Sequence, residues 1–482
     1  MSGGYGISEW PDIDALYRRF NELVRQPIRP LRPDGLAKVM SYFDQRCAGS
    51  KALAEEAKRF IPGGVQHNLA FNHPFPLAMA RAEGAYLTDV DGNRYTDFLQ
   101  AGGPTLLGSN HPAVRAAVEK TLDESGPVTG LLHESELRLA ELVNRFMPGI
   151  EMLRLLGSGT EAVMASVRLA RAFTRKRWIV KVGGAYHGWS DQLVYGMRLP
   201  GTGRMEAVGI PRGSTAWTQE VNPNDLDALR RKLSRNRLTG GTAAVLVEPL
   251  GPESGTRPVR RDYNAQVRAL CDEFGALLVF DEVVTGFRVG MGGAQGYLGV
   301  KPDLTVLGKC LAGGYPMAGA IGGRREIMAL LAAGIGGSGR RAFVGGTLSA
   351  NPLSCAAGCA ALLEAERTDA AVKAGQAGDR LRKGLDEIIE RRKLPYVAYN
   401  LGSIVHLQTS GVLLLDTSNL IKLFRARNEA KTRKHMMEEM GAAYAAHGLI
   451  TLAGSRLYTS LADDDAVIDD ALGRFDDVFA LV

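Results

Sequence analysis

The 482-residue chain is 45% hydrophobic and carries 58 basic against 52 acidic side chains, a formal net charge of +6. That apolar share suits a globular protein with a sizeable core, and the length suits more than one structural unit. The mild basic excess contains no run of five basic residues, which argues against a nucleic-acid groove. No apolar run reaches the roughly 18–20 residues of a membrane span.

The N-terminal stretch MSGGYGISEWPDID is acidic and is not expected to act as a signal peptide. From Asp12 the apolar residues recur at helical spacing until the Pro27–Pro33 region breaks the pattern. Ile61-Pro62-Gly63-Gly64-Val65 opens a loop. Residues 85–98 alternate on either side of Asp91-Gly92, which predicts a β-hairpin. From residue 112 to 360 helices and strands alternate. Helices are expected at 112–122, 135–146, 161–173 and 263–274, and strands at 152–156, 178–182, 243–248, 276–281 and 304–307. Short apolar strands bounded by helices predict an α/β fold whose mostly parallel sheet has helices on both faces. After residue 365 charged helices and a few strands predict a smaller α+β domain.

The basic blocks 230–237 and 425–434 read as solvated helix faces. The five cysteines, Cys47, Cys271, Cys310, Cys355 and Cys359, form neither a CxxC pair nor a metal-ligand spacing. This is the usage of a reducing, cytoplasmic compartment, with no metal site expected.

In an open α/β sheet, ligands sit beyond the carboxyl ends of the strands. Three features fall there. Gly157-Ser158-Gly159-Thr160 follows a strand and enters a helix, where free amides and the helix dipole suit a phosphate, although such a start is often only a cap. Asp281 ends the apolar run Ala276–Phe280, a costly place for a carboxylate unless it meets a cation or a proton donor. Lys309 follows the run Leu304–Leu307, with Gly308 before it and Gly313-Gly314 beyond; by itself it could be a snorkelling lysine. Together they match the needs of pyridoxal 5'-phosphate. The phosphate needs an anion site, the pyridine nitrogen an acid, and the aldehyde a lysine for a Schiff base.

The long stretches Phe280–Arg288, Gly292–Lys309 and Gly345–Pro352 resemble the class III aminotransferases, most closely the glutamate-1-semialdehyde aminomutase-like branch, from about Ile61 to the C-terminus. The resemblance implies the type I fold of pyridoxal-phosphate enzymes and a homodimer, with no nucleic-acid or membrane partner. The expected organisation is a helical extension over 1–60, a first part of a small domain over 61–111, a large cofactor-binding domain over 112–364 and the rest of the small domain over 365–482. Carried over, Lys309 would be the Schiff-base lysine and Asp281 the partner of the pyridine nitrogen. Ser158, Gly159 and Thr160 would hold the phosphate, together with Thr347 serving the partner's site. Tyr186 would stack on the ring, Glu248 would lie near the ring's hydroxyl side, and His187 would be a supporting group or a structural histidine. The implied reaction is a ping-pong transfer of an amino group from an amino acid or amine donor to a keto or aldehyde acceptor. The alternative is the intramolecular transfer of an aminomutase.

One departure bears on that choice. In the aminomutases an arginine for the substrate carboxylate follows Pro-Gly-Gly-Val. Here residues 62–73, PGGVQHNLAFNH, contain none, and His67 lies near where some β-amino-acid transaminases of the branch carry one. A histidine lacks the bidentate fork of a guanidinium. Arg288, Arg340 or Arg341 is then the expected carboxylate ligand, unless the substrate lacks that group. The pattern Gly157-x-Gly159-x-x-Ala162 also fits a dinucleotide fingerprint, but the next strand ends in Val180-Lys181-Val182-Gly183 without the acid such a site needs. A cofactor-binding protein without catalysis would have no use for Lys309.

Overall fold

In the computed structural model, residues 4–70, 72–127, 130–332, 341–415, 417, 420–452 and 454–482 are described. The chain divides into two compact units. The first comprises residues 1–5, 112–369 and 416–423; the second comprises residues 6–111, 370–415 and 424–482.

The first unit is built on seven strands: β1 (Met152–Leu156), β2 (Trp178–Val182), β3 (Thr218–Val221), β4 (Thr242–Val247), β5 (Leu277–Glu282), β6 (Leu304–Leu307) and β7 (Gly319–Gly323). Their order across the sheet is β1-β7-β6-β5-β4-β2-β3. The pairs β2–β3, β2–β4, β4–β5 and β5–β6 are parallel, and β7 runs antiparallel to both of its neighbours. β4 and β5 are buried along their whole length, which explains their unbroken apolar runs.

Strand β7 escapes the hydrophobic pattern because three of its five residues are glycine. Each fits a tight place. A Cβ on Gly319 would strike the backbone of Ser158, one on Gly322 would strike Ile150, and Gly323 has φ 156° with the Asp303 carbonyl against it. Strand β3 is short, polar and at the sheet edge, so it too carries little apolar signal.

Helix Gly159–Thr174 lays Ala162, Val163, Val167, Leu169 and Ala170 on one face of the sheet, against Ile179, Ala244, Leu246, Leu277, Val279, Leu304 and Val306. Side chains two apart share a sheet face. Continued towards the strand ends, that face reaches Lys181 on β2, Glu248 just past β4, and Asp281 on β5. The stripes that are apolar under the helix therefore become ionisable beyond it. Helix Tyr263–Phe274 packs against β4 and β5, and helix Pro352–Thr368 packs against helices Pro112–Glu124 and Glu134–Phe146.

The second unit is α+β. One sheet joins Met79–Glu83, Tyr86–Asp89, Arg94–Asp97 and Leu449–Ile450; another joins Val397–Leu401, Ile404–Gln408 and Arg456–Tyr458. The hairpin turns at Asp91-Gly92, where Gly92 has φ 83°. Asp12 caps helix Ile13–Arg25, whose Leu16, Phe20 and Leu23 pack on Val397, Tyr399 and Leu414. Helices Pro33–Arg46, Ala370–Arg391 and Asp465–Phe479 contribute Phe43, Leu381, Leu385 and Phe475 to its main core. Among the described residues no helix is long and apolar enough to cross a membrane, and no cluster of His, Cys, Asp or Glu has a metal-holding arrangement.

Candidate active site

The carboxyl end of the sheet gathers most of the residues singled out above. Val283, two residues past Asp281, is the hinge of the arrangement. Its Cγ2 lies 2.9 Å from where a Cβ on Gly159 would stand, and its Cγ1 lies 3.0 Å from the corresponding point at Gly308. Only glycine at 159 and 308 lets the helix start, the Asp281 turn and the Lys309 turn close on one valine.

Helix Gly159–Thr174 opens the candidate phosphate cradle. Ser158 Oγ accepts from Glu161 N at 3.2 Å and caps the helix, and the Glu161 carboxylate takes Gly157 N at 2.7 Å. The amides of Gly159 and Thr160 lie in the first turn, where no intrahelical carbonyl reaches them. Capping uses only the acceptor side of the Ser158 hydroxyl, so its proton remains a donor.

Asp281 is 5% exposed, and its Oδ2 lies 2.7 Å from Nδ1 of the fully enclosed His187. Its Oδ1 accepts from Val283 N at 3.1 Å. Burial pushes the His187 pKa below its ordinary value, against the opposing pull of Asp281. A neutral imidazole beside a carboxylate carries its proton on Nδ1 and donates it. His187 Nε2 is buried and has no hydrogen-bond partner among the described residues.

Glu248 faces Asp281 across β4 and β5, since Val247 pairs with Phe280 in register. Its Oε1 accepts from Tyr186 N at 3.1 Å and Glu253 N at 2.9 Å, and its Oε2 accepts from Ser254 N and, at 3.2 Å, Ser254 Oγ. Burial and then the Asp281 charge push its pKa up to about 8, with the backbone donors opposing. Glu253 and Ser254 both hold positive φ, 48° and 50°, in the turn that delivers those amides.

Lys309 starts a short 3-10 turn, Lys309–Ala312, with φ 45° in the left-handed region. Cys310, Leu311 and Ala312 are buried and Lys309 is half-buried. The turn that follows the lysine is as buried as its apolar sequence suggests, while Lys309 itself keeps some access to solvent. Tyr186 is 46% exposed, at the head of the loop that spans residues 183–203. That loop meets the cradle at Gly188, where a Cβ would stand 2.8 Å from Thr160 Cα.

Thr347 is different. It is exposed on the turn 347–350 and, among the described residues, makes no hydrogen bond to the other candidates. Arg288 is fully buried, Arg341 is exposed, and Arg340 lies outside the described residues. His67 is exposed and accepts from Leu69 N at 3.0 Å through Nδ1, so it serves its own turn.

Lys181 is absent from the sequence-derived set. It is wholly buried on β2, and burial brings its pKa down to about 8 against the pull of Glu220, Glu248 and Asp281. The signal was the same as at Lys309: one charge inside the apolar run Trp178–Val182.

The donor set fits pyridoxal phosphate. There are free first-turn amides for the phosphate, a buried carboxylate with acceptor capacity left for a ring N–H, a lysine on the adjacent turn, and an orphaned imidazole nitrogen behind the carboxylate.

Comparison with known proteins agrees. The model of the family Aminotransferase class-III matches residues 69–410. A glutamate-1-semialdehyde 2,1-aminomutase of Chlorobium limicola is 40% identical over 377 residues, covering 77% of this chain and 86% of its own. A β-phenylalanine aminotransferase of Variovorax paradoxus superposes with a TM-score of 0.78 at 29% identity, over 92% of this chain and 96% of its own. A glutamate-1-semialdehyde-aminomutase of Pseudomonas aeruginosa superposes with a TM-score of 0.80 at 25% identity, over 94% of this chain and all of its own.

Proposed function

The chain belongs to the class-III aminotransferases, with their type I fold and pyridoxal phosphate as cofactor, and from that premise we propose that it moves an amino group onto a carbonyl carbon at Lys309. The observation that carries this is the closure of the Gly159, Asp281 and Lys309 turns on Val283. When bound, pyridoxal phosphate supplies a conjugated electron sink that makes the substrate's C–H acidic. Ser158, Gly159 and Thr160 would hold the phosphate. Asp281, oriented by His187, would hold a proton on the ring nitrogen, and Tyr186 would cover the ring face. The Lys309 amine would carry the cofactor, and once displaced by an amino substrate it would move a proton on and off the substrate carbon.

Two routes for the amino group are open to this machinery. The intramolecular, aminomutase route is favoured by the curated relatives, which carry that name at 40% identity over three quarters of the chain. The ping-pong route, from an amino acid or amine to a separate keto or aldehyde acceptor, is favoured by the absence of arginine from residues 62–73. It implies a substrate different from glutamate semialdehyde. Thr347 is proposed to serve the partner's site in a homodimer. This is supported by its exposure between the exposed Phe343 and Leu348, two large apolar side chains.

The deciding experiment supplies the holoenzyme with one amino compound at a time and no acceptor. Glutamate-1-semialdehyde and β-phenylalanine are the first two compounds. Sustained turnover without an acceptor establishes the aminomutase route; product only after a keto acid is added establishes the other. A wild type that shows no borohydride-sensitive visible band after incubation with pyridoxal phosphate defeats both.

A further inference from the structure

The carbonyl of Ala185 and the amide of Tyr186 are the two ends of one peptide group, and a buried ionisable side chain holds each end. Lys181 Nζ donates to Ala185 O at 2.8 Å, and Tyr186 N donates to Glu248 Oε1 at 3.1 Å. The same ammonium donates to Tyr195 O at 2.9 Å. That carbonyl lies on the returning side of the loop, next to the point where Gly184 N meets Gly196 O at 2.7 Å. Glu220, the register partner of Lys181 on β3, takes Gly201 N and Gly203 N at 2.9 Å each. Two adjacent residues of parallel strands thus hold both arms of the 183–203 loop, one by its carbonyls and one by its amides.

A charge at a fully enclosed strand position is expensive unless it is paired and hydrogen-bonded. An aliphatic residue would continue the apolar stripe of Ile179 at no such cost. Lysine brings what an aliphatic residue lacks: a donor on a long stem that passes the strand end and reaches two loop carbonyls at once. The gripped peptide carries the Tyr186 amide, and a rotation of that peptide would move the exposed ring, while the His187 imidazole is fixed separately by Asp281.

We propose that Lys181 is a positioning residue which, with Glu248, grips the Ala185–Tyr186 peptide at both ends and so sets the Tyr186 ring. The assignment rests on the reading of this region as the cofactor site. It differs from a general stabilising role in one respect: the effect of Lys181 on the cofactor must pass through Tyr186.

The test is a double-mutant cycle on the full chain with pyridoxal phosphate as probe, using wild type, Lys181→Met, Tyr186→Ala and the double variant. Visible absorbance gives the dissociation constant, and visible circular dichroism of the bound cofactor reports its orientation. In the wild-type background Lys181→Met weakens binding about tenfold and alters the dichroic band; in the Tyr186→Ala background it weakens binding less than about twofold. Equal weakening in the two backgrounds, or unchanged affinity and dichroism in Lys181→Met, overturns the proposal. Should Lys181→Met fail to fold, Lys181→Gln, which keeps a donor of shorter reach, enters the same cycle with the same criteria. A wild type without a borohydride-sensitive band overturns the cofactor reading itself. A normal wild-type band with an unperturbed cycle overturns only the grip.

Discussion

The two ends of the parallel sheet in the first unit treat buried carboxylates in opposite ways. At the end where β5 and β6 begin, Asp303 accepts from Arg268 and Arg324 at 2.7 Å each and from Leu278 N at 2.8 Å. Burial pushes its carboxyl up, but the Arg268, Leu278 and Arg324 donors together hold it below the usual range. At the end where the strands finish, Asp281 has an imidazole and one amide, and Glu248, beside Asp281, is held by amides and a hydroxyl, with no guanidinium among its donors in the described residues. The first arrangement neutralises charge where the protein is merely held together. The second leaves charge under-compensated where, on the proposed reading, a cationic ring and an amine would be received. Asp281 and Glu282, on opposite faces of one strand, differ in spare acceptor capacity, although burial raises the Glu282 pKa as well. Glu282 is saturated by Ala294 N, Gln295 N, Gln295 Nε2 and Thr285 Oγ1, leaving nothing for a ligand.

Three substitutions separate the two kinds of site. Lys309→Ala removes the amine proposed to carry the cofactor. Turnover falls at least about 10³-fold, while the thermal midpoint of the apoprotein stays close to wild type. Steady-state rates and a melting curve on one preparation measure both; residual activity within tenfold of wild type would place the chemistry elsewhere. At the opposite end Asp303→Ala takes from Arg268 and Arg324 the buried carboxylate they share, leaving them the more exposed Asp272 and Glu326, and stability drops by about 2 kcal/mol. The kcat of the surviving folded fraction is unchanged, so a large loss of kcat with unaltered denaturant midpoint would erase the distinction between the ends. Asp281→Asn keeps the shape and the acceptor for His187 but removes the charge proposed to hold a proton on the ring nitrogen. Turnover falls about 100-fold with a smaller stability change than Asp303→Ala. A variant of normal kcat would mean that the ring nitrogen does not depend on this acid.

How far this contrast could be read in advance depended on how each feature marks the sequence. Strands β1, β2 and β6 occupy the runs 152–156, 178–182 and 304–307 in which apolar residues are dense, and helix Tyr263–Phe274 fills its expected span. Helix Gly159–Thr174 begins two residues before its apolar pattern does, because Ser158, not a hydrophobic residue, sets its start. Strand β7 stayed hidden because its glycines answer to neighbours distant in sequence, namely Ser158, Ile150 and Asp303. Asp281 and Lys309 stood out because each breaks an apolar run at its end. Lys181 breaks one too, but a single charge between valines reads as a strand position before it reads as a loop anchor. The loop contacts that give it meaning, Ala185 O and Tyr195 O, lie beyond any periodic pattern.

The subtlest consequence of the contrast is the sign of a pH dependence: the raised Glu248 loses its stabilising contribution as pH rises, whereas the lowered Asp303 loses its own as pH falls. Glu248 has its pKa raised from 4.5 to about 8 in the folded chain, through burial first and then the Asp281 charge. Between those values the unfolded chain has lost the proton and the folded chain keeps it. The contribution of Glu248 is therefore fully present below pH 4.5 and is lost as pH rises through 8. The slope approaches about 1.4 kcal/mol per pH unit at its steepest. Lys181, depressed from 10.5 to about 8, acts in the opposite sense but only in the window above 8. Chemical denaturation of wild type and Glu248→Gln across pH 4.5–8 isolates the term. The stability of wild type minus that of the variant must fall steadily as pH rises, because glutamine does not titrate. Parallel curves across that window would mean that Glu248 is ionised throughout. The Tyr186, Glu253 and Ser254 donors would then compensate it as fully as the two arginines compensate Asp303, and the two ends of the sheet would no longer differ in kind.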